Sequence, residues 1–539
     1  METPALRRAI EAYESGAWAE AEAACNELLD ADPRQADALQ ILGNIRARSG
    51  DTRGAEPLLE RARAANPGSI YVLNSLGGVY AANGRLNEAR EALVAALDID
   101  PGFPWALQNL GGILMEAGDR AGARRCFERA LATDPRHVET VAALADLAEK
   151  EGRLADARSL AGRALVLAPG FPAARIVLAE LDRRSGEYAA VDSAMRGLLA
   201  VSLRPGTEAT ARNLLGRALE GLGRFDEAFA EFTRANDIDR ATYAARLADA
   251  EFAASPATLA RLGGFVRATD PDQWTKPATD GLPDPVFLVG FPRSGTTLLQ
   301  QMLASHPSVA TLEEQENLRD AHGPLLLAPG AFDRWTTMTA AELSGFRRAY
   351  WGRVEARMPR PEPGRVYLDK LPLNLALLPL LQLLFPGAKI ILLLRDPRDV
   401  ILSCFRNRFT MNAAMYRLLS LDAATHYYDA VMGSAETARQ RVPLALHVLR
   451  YEDLVADPRG ESAGLLAFLG LARDDGVRRH AETASRRVVL TPSATQVIQP
   501  VYRTATGQWR RFSAGLAPVL PALERWAEKL GYSGLSAFA

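Results

Sequence analysis

The first half of the chain carries its apolar and small residues on a period of 34. Prolines stand at Pro33, Pro67, Pro101, Pro135 and Pro169, and glycines at Gly16, Gly50, Gly84, Gly118, Gly152 and Gly186. Ala21, Ala55, Ala89, Ala123 and Ala157 follow the first five glycines at a fixed distance, and Val191 follows the sixth. Leu-Gly or Leu-Ala pairs recur at 42–43, 76–77, 110–111, 144–145 and 178–179. A seventh unit, with Leu215-Gly216, Gly223 and Ala228, is displaced by three residues, and Arg204-Pro205-Gly206 is the expected insertion. Such a period predicts a stack of helix–turn–helix units. Glycine ends the first helix of each pair in a left-handed turn. The small residue lets the second helix come close. The residue before each proline avoids the helical region and ends that second helix.

These positions resemble the tetratricopeptide repeat family over residues 1–241. The resemblance implies an α-superhelix of about seven repeats whose concave surface takes a peptide or protein partner. Residues 242–283 read as a bridge: two short helices over Ala245–Phe265, broken near Ser255-Pro256, then a loop marked by Asp270, Pro271, Pro277 and Gly281.

From Pro285 the pattern changes. Val286-Phe287-Leu288-Val289 reads as a buried strand. It runs into Gly290-Phe291-Pro292-Arg293-Ser294-Gly295-Thr296-Thr297, and helical spacing follows from Leu298 to Ser305. A strand, a Gly-bounded loop and a helix N-terminus together cradle phosphate. The loop departs from that of nucleoside triphosphatases, GxxxxGK[ST], because Thr296 stands where the lysine would be. Its cation comes earlier, at Arg293. A second predicted strand, Lys389 to Leu394, leads into Arg395-Asp396-Pro397-Arg398-Asp399 and a helix carrying Ser403. A guanidinium and a hydroxyl at that strand edge suit a second phosphate. Two separate phosphate sites point to a nucleotide phosphorylated at both its 5′ and 3′ positions.

With these motifs the last domain, 284–539, resembles the PAPS-dependent sulfotransferases over about 284–535, PAPS being 3′-phosphoadenosine-5′-phosphosulfate. It is most similar to the protein-tyrosine sulfotransferases, through His306-Pro307 to Glu314, Asp369-Lys370-Leu371-Pro372, Leu384-Phe385-Pro386, and Ser493 with Gln496-Val497-Ile498 and Pro500-Val501. The resemblance implies an α/β domain with a central parallel sheet. It implies PAPS as co-substrate, held by Arg293, Ser294, Gly295, Thr296, Thr297, Arg395, Ser403 and Tyr451, and an acceptor bearing a hydroxyl. Glu314 becomes the general base, with Glu313 as the alternative, and Arg293, Lys370 and Ser493 serve the leaving and transferring centre. Two departures concern the acceptor. Gln315, Glu316 and Asp320 occupy the stretch where the tyrosine enzymes carry arginines for acidic substrates, and Gln508 replaces their lysine before Trp509.

Composition narrows the classes. The chain has 539 residues, 48% hydrophobic and 24% charged, which excludes a mainly disordered or collagenous chain. Lys+Arg is 63 against Asp+Glu 65, so binding nucleic acid by bulk charge is not expected. Cys25, Cys126 and Cys404 form no disulfide framework or metal pair, which fits a reducing, cytoplasmic setting without a metal. The apolar stretch Leu375 to Leu394 contains Pro379, Pro386, Gly387 and Lys389, and reads as helix, turn and strand rather than a membrane span. Two further readings remain at this level: a P-loop nucleotide or small-molecule kinase, and a non-enzymatic repeat scaffold. The subunit count stays open, a homo-oligomer included.

Overall fold

The computed structural model describes residues 3–312, 314–359, 364–474 and 505–532. The chain divides into two compact units, Met1–Thr242 and Tyr243–Ala539.

The first unit is a superhelix of paired helices. Pro4–Ser15 pairs with Trp18–Ala31, Ala36–Arg48 with Thr52–Ala65, Ile70–Ala82 with Leu86–Ile99 and Pro104–Glu116 with Arg120–Thr133. The last of these helices, Phe225–Leu247, lays Phe232 on Gly216 of Pro205–Gly221. The periodic glycines lie in the turns with positive φ, from 76° at Gly152 to 91° at Gly50. The Leu-Gly pairs serve a different end. A Cβ at Gly111 would lie 2.3 Å from the Phe127 ring, and one at Gly77 2.5 Å from Leu93. There the partner helix drives a large side chain onto bare backbone, which a methyl group would displace. Ala55, Ala89, Ala123 and Ala157 are fully buried at the same crossings.

Between the repeats and the sheet the helices differ from the expected two short pieces. Ala245 belongs to the long helix Phe225–Leu247, and the next helix is Pro256–Ala268. The break falls where Ser255 caps that helix by accepting from the Thr258 N–H, with Pro256 at its first position.

The second unit is built on five parallel strands: β1 Val286–Val289, β2 Val309–Leu312, β3 Val366–Lys370, β4 Lys389–Leu394 and β5 Ala445–Arg450. Their spatial order is β2-β3-β1-β4-β5. β1 is buried along its whole length, and β3 and β4 flank it. The chain runs from β1 to β2 and β3 on one side and then crosses to β4 and β5 on the other. The loops leaving the C-terminal ends of the central strands therefore part at β1 and open a crevice, the place where parallel α/β sheets hold ligands. The apolar stretch after Leu375 forms the helix Leu378–Leu384, a turn and β4. Among the described residues no helix is long and apolar enough to cross a membrane.

Candidate active site

Each strand delivers one candidate residue at its C-terminal end. β1 runs into the loop 290–295, and the nine-residue helix Thr296–Ala304 starts beyond it. Gly295 is the N-cap, at φ 100°, and among the described residues no side chain caps this helix end. The helix dipole favours an anion there. A Cβ on Gly295 would meet the Tyr451 ring at 2.5 Å, and one on Gly290 would meet the Leu393 carbonyl at 2.7 Å. Only glycines let this loop lie so close to its neighbours. Ser294, Thr296 and Thr297 are buried in the loop and first turn. Ser294 Oγ donates to the Phe291 carbonyl at 2.6 Å, which closes the loop on itself.

Arg293 is the one non-glycine residue with positive φ among the described residues, at 71°. A left-handed conformation is uncommon for such a side chain and costs energy that the surroundings must offset. Those surroundings come from β4 and the helix after it. Arg293 Nε donates to Ser403 Oγ at 3.1 Å, and Arg395 Nη1 donates to the Arg293 carbonyl at 2.9 Å. Ser403 lies on the helix Pro397–Phe405, and Arg395 leaves the end of β4. The two motifs read separately in the sequence thus meet on one residue.

Arg395 is 8% exposed and packs its guanidinium over the Tyr451 ring at 4.9 Å. Its hydrogen bonds go to carbonyls, those of Arg293 and Ala505, the latter at 2.6 Å. Among the described residues its Nε has no partner and no carboxylate comes within ion-pair distance of it. A buried guanidinium without a paired carboxylate is costly. Asp396 is occupied with Arg398, through bonds of 2.9 and 2.7 Å.

Across the crevice, Lys370 ends β3. It is fully buried, and its Nζ donates to Glu314 Oε1 at 2.5 Å. Glu314 follows β2 and keeps 38% of its side chain exposed. One end of this pair is anchored in the core and the other faces solvent, as a proton acceptor for an incoming hydroxyl requires. Ser493 and Glu313 lie outside the described residues, as do Gln496, Val497, Ile498, Pro500 and Val501. Among the described residues no cluster of His, Cys, Asp and Glu could hold a metal ion.

Two features carry no signal in the sequence strong enough to have been read. Asp399 accepts from the Gly507 N–H at 2.6 Å and the Trp509 N–H at 2.9 Å, while Arg398 lies over the Trp509 ring at 4.3 Å. The segment beginning at Ala505 is thereby fastened beside Arg395. Asp369, next to Lys370, is buried and accepts from Tyr350 and Asn317. Burial pushes its carboxyl above the ordinary range. The second aspartate of Arg395-Asp396-Pro397-Arg398-Asp399 was a faint cue for the first feature; the second joins three elements and had none.

Residues 285–475 match the model of the sulfotransferase family. Tetratricopeptide-repeat models match 6–70, 42–104, 80–147 and 209–242. Protein-tyrosine sulfotransferase 2 of Gallus gallus is 31% identical over 276 residues, 46% of this chain and 69% of its own length. Protein-tyrosine sulfotransferase 1 of Danio rerio is 29% identical over 44% of this chain and 71% of its own. An uncharacterised protein of Aquifex aeolicus is 27% identical over 64% of this chain, which spans 46% of that protein. A solved tetratricopeptide-repeat protein of Thermus thermophilus is 24% identical over 34% of this chain and 98% of its own, at a TM-score of 0.31, too low to carry an argument.

Proposed function

We propose, from the premise that the chain belongs to the sulfotransferase family, that it transfers the sulfuryl group of PAPS to an acceptor hydroxyl. The observation that carries the reading is Arg395: among the described residues it is a buried guanidinium that donates only to carbonyls, and it grips Arg293, which in turn bonds Ser403. It calls for an anion, and the helix start at Thr296 calls for another. A nucleotide with phosphates at both ends meets both demands. Thr296 in place of the P-loop lysine speaks against a γ-phosphate and so against a kinase.

The residues divide the work by position. The loop Arg293 to Thr297 would hold the 5′-phosphosulfate end, and Arg395 with Ser403 the 3′-phosphate. Tyr451, over Gly295 and beside Arg395, would close the nucleotide site. The bound donor supplies an activated sulfur whose bond to the bridging phosphate oxygen breaks as the acceptor oxygen bonds to it. Glu314 takes the proton of the acceptor hydroxyl. Lys370 and Arg293 stabilise negative charge on the departing phosphate, and their fixed placement spares reorganisation during the step.

The acceptor is read from the rim. Asp320 is occupied by Arg353 through two bonds of 2.6 Å, and Glu316 is exposed close to Glu314. With Arg319 exposed beside them, Glu316, Asp320, Arg319 and Arg353 balance in charge, so the rim offers no net positive charge to draw an acidic acceptor. The repeat unit would recruit the protein that carries the acceptor. Cys25, Cys126 and Cys404 are buried and unpaired, which supports a reducing, cytoplasmic setting.

Incubation with radiolabelled PAPS and tyrosine peptides of acidic, neutral and basic flanks tests the reading. Label is expected with no preference for the acidic peptides, and to be lost with Glu314→Gln. Equal labelling by wild type and Glu314→Gln, or none over a broad acceptor panel, would contradict it.

A further inference from the structure

The base is held through a side chain three residues away from it. Asn317 follows Glu314 in the loop after β2 and is 3% exposed. Its Nδ2 donates to Asp369 Oδ2 at 3.0 Å, and the same oxygen accepts from Tyr350 Oη at 2.8 Å. Tyr350 belongs to the helix Ala340–Glu355 and is 1% exposed. Asp369 is the immediate neighbour of Lys370 on β3, where successive side chains point to opposite faces. One face therefore carries Lys370 to Glu314, and the other carries Asp369 to Asn317. The loop itself contains short turns, with the Asn317 N–H on the Gln315 carbonyl at 2.9 Å and the Arg319 N–H on the Glu316 carbonyl at 3.3 Å. These bonds shape the loop but do not fix it to the sheet.

Resting on the sulfuryl-transfer reading, we infer that Asp369 is a positioning residue, which holds the Glu314 carboxylate in register with Lys370 by fastening Asn317 to β3. Neither Asp369 nor Asn317 touches the reacting atoms. Asp369 makes no side-chain ion pair among the described residues; it binds two neutral donors. A buried carboxylate is an expensive way to hold two neutral groups when an amide would serve for packing alone. Its charge strengthens both hydrogen bonds. The benefit lies in the stiffness of the loop that presents the base. A displacement of about 1 Å at such a group commonly costs about 10²-fold in turnover.

The test uses the full chain and three variants. Asn317→Ala and Asp369→Asn are expected to lower kcat by about 10- to 100-fold, with the affinity for 3′,5′-ADP kept within about twofold of wild type. Tyr350→Phe keeps the Asn317 bond and is expected to lose less than either. Wild-type kcat in Asn317→Ala, or in Asp369→Asn, would overturn the inference. Amide hydrogen exchange over 314–319 separates it from the parent reading. If the wild type transfers no sulfuryl group, the parent reading fails. Faster exchange in Asp369→Asn would still show that Asp369 fastens the loop, and unchanged exchange would overturn that too.

Discussion

Arg293 Nε donates to Ser403 Oγ at 3.1 Å across 110 residues of chain. That bond joins the loop after β1 to the helix after β4, the two neighbours at the sheet's parting point. It explains how a non-glycine residue keeps positive φ in the loop, because Arg395 also grips its carbonyl. The two proposed phosphate sites are thus mechanically one unit.

Removing either partner should be felt by the nucleotide. Arg395→Ala is expected to weaken 3′,5′-ADP binding by about 10- to 100-fold, the loss of a charge-assisted contact. Ser403→Ala should cost less, because a hydroxyl is a neutral donor. Isothermal titration of each variant checks the order.

Glu314→Gln should leave 3′,5′-ADP affinity unchanged and lower kcat by about 10²–10⁴-fold, as expected for loss of a base. A single-turnover assay with labelled PAPS measures it. Retention of full turnover would remove Glu314 from its role and turn attention to Glu313.

Gly295→Ala should damage the loop from two directions. Its φ of 100° strains any side chain, and the new methyl would meet the Tyr451 ring. Strain of this kind costs on the order of 1–3 kcal/mol. A lower melting temperature with weakened nucleotide binding is expected, read by thermal unfolding with and without 3′,5′-ADP.

His322 gives a pH prediction. Burial holds its imidazole down to about 4, with Asp320 opposing the shift in part. The folded value lies below the ordinary 6.5, so the unfolded chain binds more protons between pH 6.5 and about 4. Stability must therefore fall as pH drops through that window, by about 3 kcal/mol in all for this group. Urea midpoints of wild type and His322→Gln at pH 7.5 and 4.5 check it. The variant should lose less stability on acidification.

The repeat array was legible because each unit is local: one period of sequence holds both helices and their turn. The loop Gly290–Thr297 was legible for the same reason, since strand, loop and helix are contiguous. Tyr451 was recognised by resemblance, but its place against Gly295 depends on β5 reaching the same edge. The role of Asp369 was not legible, because its partners Asn317 and Tyr350 come from a loop and a helix that only the folded sheet brings together. The bond from Gly507 to Asp399 spans 108 residues and was hidden likewise. Helix Phe225–Leu247 runs past residue 241, the expected end of the repeats, because neither glycine nor proline interrupts it before Leu247.

The central claim is a site built for two separated phosphates and not for a triphosphate. Calorimetric titration of the full chain with 3′,5′-ADP and with ATP, each with and without Mg²⁺, tests it most directly. The account predicts tight, magnesium-independent binding of 3′,5′-ADP and little binding of ATP. Magnesium-dependent ATP binding with no preference for a 3′-phosphate would contradict it.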